Sequence, residues 1–245
     1  MLYTPVWHVL RKLKLCIGTG NGFAMISFGD GEIGFLTHPD IERVEYMERN
    51  MSPEAYKVRR HTIELLPTAD CIFVGMTMED LTREERDSIE RQCTLKYYHS
   101  FPEVLSRYGA SAVPLVFTLD RYTMVSSGVL FEQIAGARVL LIGGLATKAA
   151  ENWLVCKDIN QSRVTVSGTV PCSPEDAGWQ PAMREVDAIL SQALQSSWDV
   201  ALVSTGICAN YVCLKLKQEG RIAIDFGVSM NRIAGVPPKG RIGLW

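Results

Sequence analysis

The chain has 245 residues, of which 47% are hydrophobic and 21% charged, so it is long enough to bury the core of one large α/β domain. A formal net charge of −2 without an arginine-rich run disfavours nucleic-acid binding, because nothing attracts a phosphate backbone. No apolar stretch approaches the ~20 residues that cross a bilayer, and no secretory signal opens the chain. We therefore expect a cytoplasmic protein without a transmembrane segment.

The cysteines and histidines indicate neither disulfides nor a zinc site. The seven cysteines are spread along the chain without a CxxC pair, and the four histidines lie singly. Zinc ligands normally come in closely spaced pairs, and an odd number of scattered cysteines does not suggest a disulfide framework. The cysteines are therefore predicted to be free thiols in a reducing compartment.

Apolar runs and helix signals alternate along the chain in order. The predicted strands are residues 23–28, 71–74, 112–118, 138–142, 164–170, 200–203 and 222–226. The predicted helices are residues 7–15, 53–66, 129–134, 147–155, 181–194 and 208–218, with two more that begin at capping boxes near 82 and 100. The basic helix at 7–15 is expected to pack on the domain with its cations in water rather than to rest on a membrane.

This alternation predicts a single doubly wound, mostly parallel Rossmann-like α/β sheet with helices on both faces. We expect one domain over residues 1–245, with the Gly- and Pro-rich residues 235–245 as an extended arm. The glycine loop at 18–22 precedes a strand, whereas a dinucleotide-binding GxGxxG follows one. An NAD-dependent dehydrogenase is therefore disfavoured.

The first strand is followed by two carboxylates with glycines before each of them: Gly29, Asp30, Gly31 and Glu32. In an extended chain both acids would face the same side, roughly 6.6 Å apart at about 3.3 Å per residue. A cation such as Mg²⁺ is commonly held by one or two carboxylates together with substrate phosphates, and the glycines would let backbone amides approach an anion. The alternative is a tight acidic turn, since Gly and Asp favour turns for conformational reasons.

Three other polar or glycine elements follow predicted strands: Asp120 with Arg121, the turn at Gly143 and Gly144, and Thr205 with Gly206. Ligands of open α/β sheets bind beyond the carboxyl ends of the strands, where helix N-termini offer amides. Acids for a cation together with amides and an arginine for anionic oxygens predict a site for a metal-bound diphosphate.

Asp225 stands in an otherwise apolar strand, where an unpaired charge would cost several kcal/mol. One explanation is structural: a hydrogen bond to a helix amide, or an ion pair with Arg221 or Arg232. The other is functional: binding of a sugar, or action as a base. The sequence leaves both open.

Residues 27–33 and 199–227 together resemble the GT-D-type glycosyltransferase domain family. Its members carry an N-terminal FGDGE block, followed at the other end by a strand, a glycine turn, a helix and an Asp-x-Gly block. The same blocks stand here in the same order over nearly the whole chain. The resemblance implies a Rossmann-like transferase that uses Mn²⁺ or Mg²⁺ to bind a nucleotide sugar such as a UDP-hexose.

By this resemblance Asp30 and Glu32 would hold the cation and the diphosphate, Arg121 would neutralise phosphate, and Thr205 and Gly206 would approach the nucleotide. The acceptor would be a hydroxyl of a glycan or glycoprotein. The chain departs from the pattern at Ser27, where arginine is common, and at Val228, where histidine is common.

These departures motivate a rival hypothesis, a non-catalytic nucleotide-binding or interaction module that keeps the fold. A metal-dependent phosphoesterase is a third possibility, although the sequence shows no second acidic or histidine cluster for a two-metal site. The sequence does not determine the oligomeric state.

Overall fold

The computed structural model describes residues 3–28, 53–74, 101–155, 159, 162–172 and 182–236. The strands are β1 Phe23–Phe28, β2 Cys71–Val74, β3 Leu115–Phe117, β4 Arg138–Gly143, β5 Thr165–Val170, β6 Val200–Ser204 and β7 Ile222–Asp225. The helices are α1 Val6–Thr19, α2 Pro53–Leu65, α3 Phe101–Arg107, α4 Thr118–Ser126, α5 Val129–Gln133, α6 Ala146–Asn152, α7 Met183–Gln195, α8 Ala209–Gln218 and α9 Ser229–Ala234. Short 3-10 turns cover Leu66–Thr68, Trp153–Val155 and Gly206–Cys208.

The seven strands form one sheet in the order β3-β2-β1-β7-β6-β4-β5, and every neighbouring pair is parallel. The predicted parallel α/β sheet is therefore confirmed. Its strands read as continuous apolar runs because both faces are covered. In β1, Ala24 and Ile26 pack into the core on one face, while Phe23 and Met25 pack into the core on the other.

Helices cover both faces of the sheet. Helices α2, α3, α7 and α8 contribute to the core on the first face, and α1, α4, α5, α6 and α9 contribute to the core on the second. After β1, the next helix that the structure describes is α2 on the first face, whereas β7 leads to α9 on the second. Ligands of open α/β sheets commonly bind at carboxyl ends where neighbouring strands lead to helices on opposite faces. Among the described elements, β1 and β7 are such neighbours.

Several predicted boundaries differ from the structure. Helix α1 continues through Thr19 and ends at Gly20, whose φ of +70° is the left-handed conformation that terminates helices. The predicted strand at 112–118 shrinks to Leu115–Phe117, because Pro114 offers only its carbonyl, which accepts from the Ile72 amide, and Thr118 already begins α4. Helix α9 was not predicted at all. The capping box at Thr82 lies outside the described residues, and the helix predicted near 100 begins at Phe101.

Candidate functional site at the carboxyl edge of the sheet

Part of the predicted site lies outside the described residues. This applies to Gly29, Asp30, Gly31 and Glu32, so their predicted roles stay predictions. The description of β1 reaches Phe28, and Ser27 is the last residue of β1 with a polar side chain. The geometry of the edge is therefore built here from Ser27 and from the elements around it.

Ser27 is held from the first face of the sheet by Asn210, in the first turn of α8. The Ser27 amide donates to Asn210 Oδ1 at 3.1 Å, and Asn210 Nδ2 donates to the Ser27 carbonyl at 2.8 Å. Asn210 is buried and Ser27 is half-buried, so water competes little for these bonds. This pair of hydrogen bonds ties the start of α8 to the carboxyl end of β1.

Arg121 approaches Ser27 from the second face. It lies in the first turn of α4 and is only 8% exposed. Its Nη1 donates a short hydrogen bond to Ser27 Oγ and lies 3.7 Å from Asp225 Oδ2, at the end of β7. One guanidinium therefore bridges the carboxyl ends of two neighbouring strands.

The buried Asp225 has an ion-pair partner that is neither of the two arginines considered for it from the sequence. Asp225 pairs with Arg121. Arg221 lies over the Trp198 ring at 5.1 Å, and Arg232 donates to the Ser126 carbonyl at 3.5 Å. The pairing depends on how α4 packs against the sheet, which sequence proximity does not indicate.

Gly227 makes room for the Arg121 guanidinium. Its φ is +47°, and a β-carbon there would come within 3.2 Å of Nη1 and 3.3 Å of Nη2. The Gly227 carbonyl also accepts from Ser204 Oγ, at the end of β6, at 2.9 Å. A side chain at this position would crowd the guanidinium, which would have to shift to accommodate it.

Gly143 is required by packing between strands. A β-carbon at Gly143 would overlap the carbonyl oxygen of Ser204 in neighbouring β6. This close approach between strands is enough to explain why position 143 is a glycine, and no bound ligand is needed to explain it. The predicted contact of Gly143 with a substrate stays a prediction.

Thr205 and Gly206 follow β6 and lead through a 3-10 turn directly into α8. Thr205 is 2% exposed, and its Oγ1 has no hydrogen-bond partner in the described part of the chain. Gly206 has a φ of +57°, and no described atom lies within 4 Å of where its β-carbon would be. A buried, unsatisfied hydroxyl thus stands beside an open stretch of backbone.

The cysteines near this edge are poor metal ligands. Burial raises the pKa of the Cys208 thiol to about 12 and that of Cys172 to about 11, so both thiols stay protonated at neutral pH. The five cysteines that the structure describes are free, in agreement with the prediction. Within the described ranges, no group of three His, Cys, Asp or Glu side chains could hold a metal ion.

The sequence interpretation missed Asn210, Ser204 and Gly227 as parts of the edge. Asn210 offered the clearest signal, because an asparagine between apolar residues of a helix needs hydrogen-bond partners. Of the predicted residues, the structure brings Arg121 and Asp225 together. Gly143 is the last residue of β4 and Thr205 directly follows β6, so both lie on the same edge of the sheet.

A family model of the GT-D fold-like domain matches residues 5–233 of the chain. The chain belongs to this GT-D-like family. The edge formed by Ser27, Arg121 and Asp225 is therefore an edge of a GT-D-like domain. No curated protein matched in the sequence comparison.

Three solved structures share the fold with a TM-score of 0.52. One is described as a new glycosyltransferase (DUF1792) from Streptococcus sanguinis, at 14% identity over 95% of this chain and 86% of that one. Another is described as the conserved domain of unknown function 1792 with a distinct glycosyltransferase fold, at 18% identity over 95% and 83% of the two chains. The third is a selenomethionine-substituted structure of that domain, with the same identity and coverage. At these identities the likeness shows the fold alone.

None of the described helices is both long and apolar enough to cross a membrane.

Proposed function

We propose that this chain is a metal-dependent glycosyltransferase that moves a hexose from a nucleotide sugar, with UDP-sugars as the first candidates, to a hydroxyl of a glycan or glycoprotein. Membership of the GT-D-like family supports this proposal, as do the solved structures of the same fold that are described as glycosyltransferases. The cytoplasm, which is expected from the sequence, is the proposed place of action.

The observation that carries the proposal is the position of Arg121. Its guanidinium contacts Ser27, and Ser27 precedes Asp30 by three residues in the sequence. A fixed cation at the end of a strand that is followed in the sequence by two carboxylates suits a ligand that combines a diphosphate with a divalent metal. Burial would strengthen an interaction of Arg121 with phosphate oxygens, because little water would compete.

Asp30 and Glu32 are the proposed metal ligands, because their carboxylate oxygens are the kind of donor that Mn²⁺ and Mg²⁺ prefer. A bound metal would stabilise the charge that develops on the departing nucleoside diphosphate. Arg121 would share that charge, and the amides at Thr205 and Gly206 would contact the nucleotide. Gly29 and Gly31 would let the backbone approach the donor.

Asp225 has two candidate roles. It could remove the proton of the acceptor hydroxyl, or it could hold Arg121 at the edge. Its carboxylate lies 3.7 Å from the Arg121 guanidinium and is 9% exposed, which favours the holding role.

The rival hypothesis, a non-catalytic nucleotide-binding or interaction module, was motivated by Ser27 in place of an arginine. An arginine guanidinium nevertheless lies against this position, because Arg121 reaches it from α4. This contact removes part of the motivation for the rival. Val228 stands directly before α9 as its N-cap residue.

The proposal is tested by incubating the protein with UDP-, GDP- and CMP-hexoses, with Mn²⁺ or with a chelator, and measuring nucleotide release. We expect metal-dependent release of a nucleoside diphosphate, and transfer once an acceptor extract is added. Binding without turnover for every donor would support the rival module. The absence of both binding and release would contradict both functions.

Asp30→Asn and Glu32→Gln should each abolish metal-dependent donor binding and leave the unfolding midpoint nearly unchanged. Glu54→Gln is a matched control, because Glu54 is a partly exposed acid that pairs with Lys57 in α2 at 2.6 Å. Calorimetry with UDP and Mn²⁺ measures the affinity. Unchanged affinity in both acid variants would exclude their assigned role.

A further inference from the structure

The Thr205 hydroxyl is a buried polar group that the fold leaves unsatisfied. Thr205 stands at the start of the turn into α8, but its side chain does not cap the helix, and its Oγ1 has no partner among the residues that the structure describes. Leaving a buried hydroxyl without a hydrogen bond costs stability. Such groups in native proteins often have a binding role.

The backbone beside Thr205 is suited to an anion. The turn Gly206–Cys208 runs directly into the ten-residue α8, and the amides of Cys208 and Ala209 donate to the carbonyls of Thr205 and Gly206. The amides of Gly206 and Ile207 come first in this continuous turn, so no carbonyl one turn earlier can accept from them. The surroundings of Gly206 are open, as described above. Amides at the positive end of a helix favour a bound phosphate.

A buried cation lies in the helix that packs against the same turn. Arg59 lies in α2, which packs against Gly206–Cys208, and is only 4% exposed. Its charge reaches Cys208, where it lowers the pKa of the thiol against the larger effect of burial. The Cys208 thiol stays protonated and donates to the Thr205 carbonyl at 3.2 Å, so Cys208 does not supply an anion there.

We propose that Thr205, the backbone amides that follow it and Arg59 form a phosphate-binding subsite on the first face of the sheet. Arg121 reaches the edge from the second face, so the ligand would meet cations from two sides. This inference rests on the proposed function, since two cationic centres match the two phosphates of a nucleoside diphosphate. It assigns Arg59 and the Thr205 hydroxyl as binding residues.

Thr205→Val separates binding from folding, because valine keeps the shape and removes only the hydroxyl. We expect UDP and pyrophosphate to bind about tenfold more weakly, the loss of roughly one hydrogen bond to a charged group. The thermal midpoint should stay equal or rise, because an unsatisfied buried hydroxyl is gone. If the Thr205 hydroxyl had a structural role instead, Thr205→Val would lower the thermal midpoint.

Thr62→Val is the matched control for that variant. Thr62 is also a buried threonine, but its hydroxyl donates to the Val58 carbonyl at 2.9 Å within α2. This variant should leave the affinity for UDP unchanged, because its hydroxyl faces its own helix. If Thr205→Val lowers the thermal midpoint and binds UDP and pyrophosphate as tightly as the wild type does, the proposed subsite is overturned.

Arg59→Met tests the cation, with Arg60→Met as control because Arg60 is an exposed neighbour on the same helix. We expect Arg59→Met to weaken pyrophosphate binding and to flatten its dependence on salt, whereas Arg60→Met does neither. Arg59→Lys keeps the charge and should restore part of the affinity if Arg59→Met folds poorly. If all three variants bind pyrophosphate with the affinity of the wild type, the assignment of Arg59 is overturned.

Four probes distinguish this inference from the proposed function: UDP-hexose, UDP, pyrophosphate and inorganic phosphate. If UDP-hexose binds equally well to the wild type and to Thr205→Val, the subsite fails while the transferase stands. If pyrophosphate binding depends on Thr205 but no nucleotide sugar binds, the subsite stands while the transferase fails. Binding of none of the four to the wild type would overturn both.

Discussion

At the amino edge of the sheet, the buried carboxylate of Asp70 is fully engaged by the protein itself. Its two oxygens lie 2.6 Å from the amines of Lys12 and Lys217, and one of them also accepts from the Ala24 amide at 2.9 Å. At the carboxyl edge, the Arg121–Asp225 pair is wider, at 3.7 Å, and the Thr205 hydroxyl has no partner in the described ranges.

This difference indicates that the two edges have different roles. Closely paired charges at the amino edge join α1, α8 and the start of β1, which is a structural role. At the carboxyl edge the buried Thr205 hydroxyl has no partner among the described residues, as expected of a surface that binds a ligand. Variants at the two edges should therefore affect different measurements.

The largest effect on stability is expected from Asp70→Ala at the amino edge. The variant removes two ion pairs and one hydrogen bond from a site where the carboxylate is buried, and we expect a loss of about 2–4 kcal/mol in the free energy of unfolding. The estimate is reduced because Lys12 is 54% exposed. Urea unfolding measures the loss. Under conditions where the variant is fully folded, its affinity for UDP should be unchanged. A loss of UDP affinity without a loss of stability would contradict the structural role assigned to the amino edge.

Gly227→Ala should produce a smaller loss of stability and a clear loss of donor binding. Alanine at φ +47° is strained by about 1 kcal/mol, and its β-carbon would displace the Arg121 guanidinium. Gly136→Ala is the control, because Gly136 has a φ of +77° and no described atom within 4 Å of a β-carbon. Both variants should lose similar stability, but only Gly227→Ala should weaken UDP binding in calorimetry. Equal binding by both variants would show that the position of Arg121 does not matter.

The smallest effect concerns Asp199 at the amino edge, and it depends on pH. Arg138 holds the pKa of Asp199 below its ordinary value of 3.8, chiefly through a side-chain hydrogen bond, with an Nη2–Oδ1 distance of 2.9 Å. A lowered folded-state pKa adds stability above about pH 4, and this stability is lost as the pH falls through the folded-state value.

Asp199→Asn should therefore be less stable than the wild type at pH 7 and nearly equal to it at the lowest pH where both fold. The difference should stay below about 1 kcal/mol, because both side chains are more than a third exposed. Thermal unfolding between pH 2.5 and 7 measures it. A difference that grows as the pH falls would contradict the ion pair.

Much of the fold could be predicted because its strands are buried on both faces. Such strands are apolar at consecutive positions, and the runs at Phe23–Phe28 and Cys71–Val74 coincide with β1 and β2. The third strand was predicted at 112–118 but covers only Leu115–Phe117. Pro114 and the start of α4 bound the strand, and the continuous apolar run in the sequence does not show these limits.

The candidate site was predictable only in part. Buried charge needs a partner, so the sequence indicated that Asp225 would be engaged. It did not indicate that the partner is Arg121, nor that Asn210 would hold Ser27, from which it is separated by 183 positions. The acid pair Asp30 and Glu32 remains a prediction from the sequence.

The sequence by itself determined the alternation of strands and helices, the parallel sheet and the need to compensate Asp225, because local propensity and burial cost act residue by residue. Only the tertiary structure decided which helix delivers the guanidinium, why Gly227 has no side chain and which hydroxyl lacks a partner. These contacts depend on the packing of segments that are distant in the chain, and apolar periodicity carries no information about them.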